Sequence, residues 1–96
     1  MTSASMGTKI VRVKIEADKT GLYFATSPDL KGLFVAERTI EELERSITKA
    51  VTDLYAACGV KVVVSKAGDG AVLGDYAPWV AVPADLARAA LDETRQ

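Results

Sequence analysis

Cys58 is the single thiol of this chain, and no histidine stands anywhere to serve as its base. A cysteine without a basic neighbour or a second cysteine two residues away is a weak nucleophile, and it is expected to pack as a small apolar residue at a helix end. Serines and lysines are present, but no S-x-x-K or G-x-S-x-G pattern activates one. Gly68, Gly70 and Gly74 share a loop that lacks the Lys-Ser/Thr ending of a phosphate cradle. Without histidine and with one cysteine, neither a zinc site nor a histidine general base can be assembled. No catalytic group, no metal and no cofactor is expected. Arg12, Lys14 and Lys19 form a small basic patch, which strand alternation alone places on a solvated face.

The elements that position these residues are marked by local signals. Val11, Val13, Ile15 and Ala17 alternate with Arg12, Lys14 and Glu16, the pattern of a half-buried strand over Lys9–Ala17. Asp18 to Gly21 reads as a hairpin connection, and Leu22–Thr26 resumes strand composition. Pro28-Asp29-Leu30-Lys31-Gly32 is a tight connection into the apolar run Leu33–Ala36, because proline presets φ and glycine permits a left-handed backbone. Thr39-Ile40-Glu41-Glu42 is a capping box, in which the Thr39 hydroxyl and the Glu42 carboxylate serve each other's amides. Behind it Ile40, Leu43, Ile47, Ala50, Val51 and Leu54 fall on one helical face, and Gly59 provides the stop. On the outer face Glu41 precedes Arg45 and Lys49 precedes Asp53 by one turn.

After the helix, the valines of Val60–Ser65 predict a fourth strand in the same sheet. The tail adds a short strand, Pro78–Val82, and a helix from Ala84 to Arg95 that needs docking to be stable. The expected fold is α+β: a three-strand antiparallel meander, one long helix and a fourth strand in the same sheet, then a short C-terminal strand and helix. Residues 1–8 are expected to be a disordered lead, 9–74 the domain and 75–96 an extension.

Between Ser27 and Gly59 the chain resembles the HicB-like antitoxin domain, whose pattern joins a strand, a P-D-L-P-G turn, an apolar strand and a T-x-E-E helix. Pro28, Asp29, Leu30, Gly32, Thr39, Glu41 and Glu42 match it, and the resemblance spans roughly residues 9–65. The resemblance implies a binding module that blocks a small HicA-like ribonuclease toxin by steric occlusion. Pro28, Asp29, Leu30, Gly32, Leu33 and Phe34 are the expected partner-binding residues. The family's fold is similar to a degraded RNase H fold, which brings Glu16, Asp18 and Asp29 into question as metal-binding acids. The helix acids sit at its capped start and Val60–Ser65 has none, so these three read as solvated turn and cap residues. Some HicB-like proteins carry a ribbon-helix-helix unit after this domain. Here no second helix follows and the tail strand lacks a base-reading side chain, so DNA binding is not expected.

A net charge of −1 gives no global pull toward nucleic acid or anionic membrane. No stretch approaches the roughly 20 apolar residues that span a bilayer, and no basic-then-apolar leader opens the chain, so the protein is expected in the cytoplasm. The second reading is a stand-alone self-associating structural domain without a toxin partner. Trp79 needs a large surface to bury its ring. Its own sheet and a second copy are equal alternatives. A homodimer or higher oligomer is expected, with Trp79, Val80, Val82 and Leu86 at its interface.

Overall fold

The computed structural model describes residues 7–67 and 76–94, with 90–94 as backbone alone. Most of the expected disordered lead and the loop glycines Gly68, Gly70 and Gly74 lie outside the described residues. The chain forms β1 (Lys9–Ala17), β2 (Tyr23–Thr26), β3 (Phe34–Glu37), α1 (Ile40–Ala57), β4 (Val62–Lys66), β5 (Ala77–Pro83) and α2 (Ala84–Thr94). This is the α+β fold expected, with the meander, the long helix and the later strand in one antiparallel sheet.

The sheet order is β3-β2-β1-β5-β4. The tail strand therefore does not append to the domain. It lies between β1 and β4, with Val11 opposite Trp79 on one side and Val64 opposite Ala81 on the other. The sheet has five strands rather than four, and residues 75–96, expected as an extension, supply one of its interior strands. β4 starts two residues later than the valine run predicts, because Val60 closes the helix end: its amide donates to the Tyr55 carbonyl while the Gly59 amide donates to Ala56. Gly59 takes φ 83°, the left-handed turn such an ending requires.

α1 begins as the capping signal predicts, with the Thr39 hydroxyl accepting from the Glu42 amide at 3.1 Å; the Glu42 carboxylate makes no return bond. The helix links the two edge strands, β3 and β4, and crosses one face of the sheet. Leu43, Ile47 and Val51 are buried there against Val11, Val13, Ala25, Leu33 and Trp79. Leu54, expected to be buried, is only half-buried at the margin of this core. Of the two outer-face pairs, Lys49–Asp53 forms at 2.9 Å and Glu41–Arg45 does not.

The helix and the alternation of the strands divide the sheet into two unlike faces. Odd-numbered β1 residues lie beneath α1. Even-numbered ones lie on the opposite, open face with Phe24, Phe34, Val63, Val80 and Val82, as the strand registers dictate.

Candidate functional site: the open sheet face

Pro28 ends the pairing of β1 with β2. Lys14 is opposite Thr26, so continuing the register would set Pro28, which has no amide proton, against Arg12. Asp29 takes over. Its carboxylate accepts from the Arg12 amide at 2.9 Å, from Nε at 3.0 Å and from Nη2 at 2.7 Å. One side chain thus satisfies a strand edge and holds a guanidinium in the fork geometry that suits it. The Ser27 hydroxyl in turn accepts from the Asp29 amide. The guanidinium carbon lies 5.4 Å from the centroid of the Tyr76 ring, a cation–π distance.

The Arg12 hydrogen bonds hold the Asp29 carboxyl down to about 2. An unfolded aspartate titrates near 3.9, so the stabilisation is complete above about pH 4 and is lost as pH falls toward 2. Both side chains are partly solvated, which limits the gain. Asp29→Ala is expected to lower the Tm by about 4–8 °C at pH 7 and by much less at pH 2. Thermal melts at the two pH values check this; equal losses at both would show that the carboxylate charge is not what matters.

The rest of the turn splits between core and surface. The Leu33 amide donates to the Leu30 carbonyl, and Gly32 takes φ 93° between them. A Cβ on Gly32 would stand 3.5 Å from the Leu54 side chain, ordinary contact, so its backbone angle is the constraint. Leu33 is buried in the core and Leu30 packs against it. Of the six residues expected to bind a partner, Leu30 and Leu33 therefore act chiefly in packing. Pro28 and Gly32 are exposed, and Asp29 is engaged with Arg12.

Phe34 stands apart from the others. It is 63% exposed on the open face and stacks on Phe24 of the neighbouring strand, with centroids 5.9 Å apart. A second apolar group, Ile10, Val63, Val80 and Val82, lies on the same face toward β4. Between the two runs the outer row of β1, where Arg12 is paired with Asp29 and Lys14 lies 3.8 Å from Glu16. Of the basic patch expected of Arg12, Lys14 and Lys19, the first two thereby have acidic neighbours.

No family model matches the chain, and no curated protein and no solved structure matches it.

The carboxylates do not converge. Asp18 is occupied by its hairpin, where Oδ1 accepts from the Thr20 amide, the Thr20 hydroxyl and the Leu22 amide. These bonds, the Thr20 hydroxyl first, lower its pKa. Among the described residues no three acidic or cysteine side chains gather as metal ligands would. Cys58 is exposed as the C-cap of α1 rather than packed. The helix ends in a turn in which the Tyr55 and Ala56 carbonyls accept the amides of Cys58, Gly59 and Val60.

On the helix side a groove of about 510 Å³ lies between α1 and β4, lined by Glu41, Glu44, Arg45, Thr48, Lys49, Lys66 and Trp79. A 2.8 Å ion pair joins Glu44 to Lys66 across it. Trp79 is 1% exposed, in the core of its own chain. Of the two alternatives for its ring, the sheet covers it, and it is not available to a second copy. Its Nε1 is buried without an acceptor among the described residues. Val80 and Val82, by contrast, face the open side, and Leu86 is 51% exposed on α2. The sequence reading groups Trp79 with Val80 and Val82 at one interface, but alternation along β5 puts the two valines on the opposite face from Trp79; the pairing of β5 with β1 carries no local signal.

Proposed function

We propose that the chain is a binding module without catalytic activity, which engages a protein partner through the Phe24–Phe34 side of its open sheet face. The observation that supports this most is the stacked Phe24–Phe34 pair, with Phe34 exposed to solvent, on the two strands that the Pro28–Gly32 turn joins. Two adjacent aromatic rings on rigid strands provide the anchor that protein interfaces favour. The ion pairs beside them leave the face without the excess positive charge that a nucleic acid requires.

The resemblance of Pro28–Gly32 and Thr39–Glu42 to the HicB-like pattern suggests the partner: a small HicA-like ribonuclease in the cytoplasm, blocked by covering its RNA-binding surface. Steric occlusion needs no reactive group, which suits a chain in which Asp18 is engaged in its hairpin and Asp29 at a strand edge. A gene for such a toxin beside this one would favour the reading over a free-standing domain.

Affinity capture from the native host, with identification of what co-purifies, tests it. A small ribonuclease is the expected capture. Phe34→Asp is expected to weaken that complex at least tenfold, with little change in Tm because the ring is exposed. Retention of full affinity would remove the Phe24–Phe34 patch from the interface. RNA hydrolysis with Mg²⁺ or Mn²⁺ that vanished on mutating Glu16 or Asp18 would overturn the binding-module reading.

A further inference from the structure

β3 is an edge strand, and the bonds of its neighbours identify its outer backbone groups. The Asp18 amide donates to the Leu22 carbonyl, which makes this pair, and every second pair along β1 and β2, a hydrogen-bonded one. Phe24 and Thr26, opposite Glu16 and Lys14, therefore direct their backbone groups toward β1. Tyr23 and Ala25 direct theirs toward β3, where Glu37 and Val35 lie opposite. The amides and carbonyls of Phe34 and Ala36 are left pointing out of the sheet. The Arg12 amide obeys the same alternation: it points to the β2 side, where Asp29 accepts it. Neither a proline nor a bulge blocks the edge of β3.

The charge around this edge is of one sign. Lys31 precedes the strand and Arg38 follows it; both are exposed, and neither is in an ion pair among the described residues. Glu37, the acid of the strand, is engaged by the Ser46 hydroxyl at 2.6 Å. Glu41 and Glu42 lie in the first turn of α1, where the helix dipole offsets their charge. A second copy suits this edge poorly. The twofold antiparallel register that uses every outward group sets Phe34 of one copy against Ala36 of the next. It crowds the Lys31 end of each against the Arg38 end of the other, cation on cation. An extended segment with acidic ends meets complementary charge instead.

We propose that the protein partner docks by strand addition. An extended segment of it, acidic at both ends, lies beside β3 and exchanges backbone hydrogen bonds with Phe34 and Ala36. The exposed Phe34 ring packs on its side chains over the open face, and Lys31 and Arg38 hold its ends. This rests on the reading of the Phe24–Phe34 side as the partner site, to which it adds a backbone edge and a sign of charge. Main-chain bonds give such a complex its affinity, and the flanking side chains give it its selectivity.

The probe is a display library of random peptides of about nine residues, long enough when extended to span β3 and reach both cations, selected on the full chain. Enriched peptides are expected to alternate apolar residues and to end in aspartate or glutamate. In the tightest of them, N-methylation of every second amide is expected to weaken binding at least tenfold. Methylation of the intervening amides is expected to change nothing, because an added strand uses alternate amides. Ala36→Pro removes an outward amide and sets a ring in the path of an added strand, a substitution that edge strands tolerate. It is expected to fold normally by circular dichroism and to lose the peptides. Lys31→Glu combined with Arg38→Glu is expected to weaken the acidic peptides at least tenfold. If Ala36→Pro disturbs the fold, the N-methyl scan on the wild type decides. Full affinity in a folded Ala36→Pro, or a scan without alternation, overturns strand addition; loss of binding in Phe34→Asp would then leave the aromatic patch standing as the partner site. Affinity that also survives Phe34→Asp removes both. Enriched peptides with basic ends, or no binder at about 100 μM, overturn the proposal as well.

Discussion

Trp79→Ala is expected to cost about 3–5 kcal/mol of folding stability, the largest effect of any single substitution in this chain. The indole is the largest fully buried side chain among the described residues, sits on the interior strand β5 between β1 and the edge strand β4, and contacts the core beneath α1. Domains of this size have about 5–15 kcal/mol in total, so the variant is left near the threshold of folding. Trp79→Phe separates two contributions. Phenylalanine keeps most of the apolar volume and removes an N–H that is buried without an acceptor among the described residues. Relief of that unsatisfied donor offsets part of the lost packing, and a cost below about 2 kcal/mol is expected. Urea denaturation followed by far-ultraviolet circular dichroism measures both variants, since the chain has no other tryptophan to report by fluorescence. An alanine variant that lost less than about 1 kcal/mol would contradict the interior placement of β5.

That placement marks the limit of what the residues reveal in order. The span from Thr39 to Gly59 was legible because caps, helical periodicity and a left-handed stop act within a few residues of one another. The alternation of β1 likewise told which side chains share a face. Nothing local says that β5 inserts between β1 and β4, since strand pairing is decided by burial across the whole sheet. A tail of five apolar-rich residues suits an interior strand and an intermolecular one equally well, so Trp79 by itself favours neither.

The candidate face was legible only in outline for a related reason. The Pro28–Gly32 turn is visible as a turn, but its main side-chain bond joins Asp29 to Arg12, 17 residues earlier. Without that bond Arg12 and Lys14 look like a free basic patch, and Asp29 looks like a free acid. Pairing removes both impressions and shifts attention to Phe34, whose exposure depends on which way a four-residue strand points. Had β3 begun one residue earlier or later in register, Phe34 and Leu33 would exchange faces. Leu33 is held inward by the core and Gly32 turns the chain to deliver it, so the exposed aromatic follows from the turn.

Leu43→Ala is expected to cost about 2–5 kcal/mol, and it tests the other half of the architecture, the docking of α1. Leu43 is wholly buried one turn after the Thr39 cap, where the helix first meets the sheet. Its amide donates to the Thr39 carbonyl at 2.9 Å, so the residue belongs to the first closed turn and is positioned by the cap itself. Alanine preserves helix propensity, and the cost therefore reports the emptied core volume rather than a weakened helix. Leu54→Ala provides the comparison: the same chemical change at a half-buried site beside Gly32 is expected to cost distinctly less. Both variants are measured by denaturant titration, with the slope against denaturant checking that the same transition is followed. Equal losses at the two positions would mean that the helix lies on the sheet with a different face, and a loss at Leu43 below half a kcal/mol would show that its amino-terminal half does not dock there.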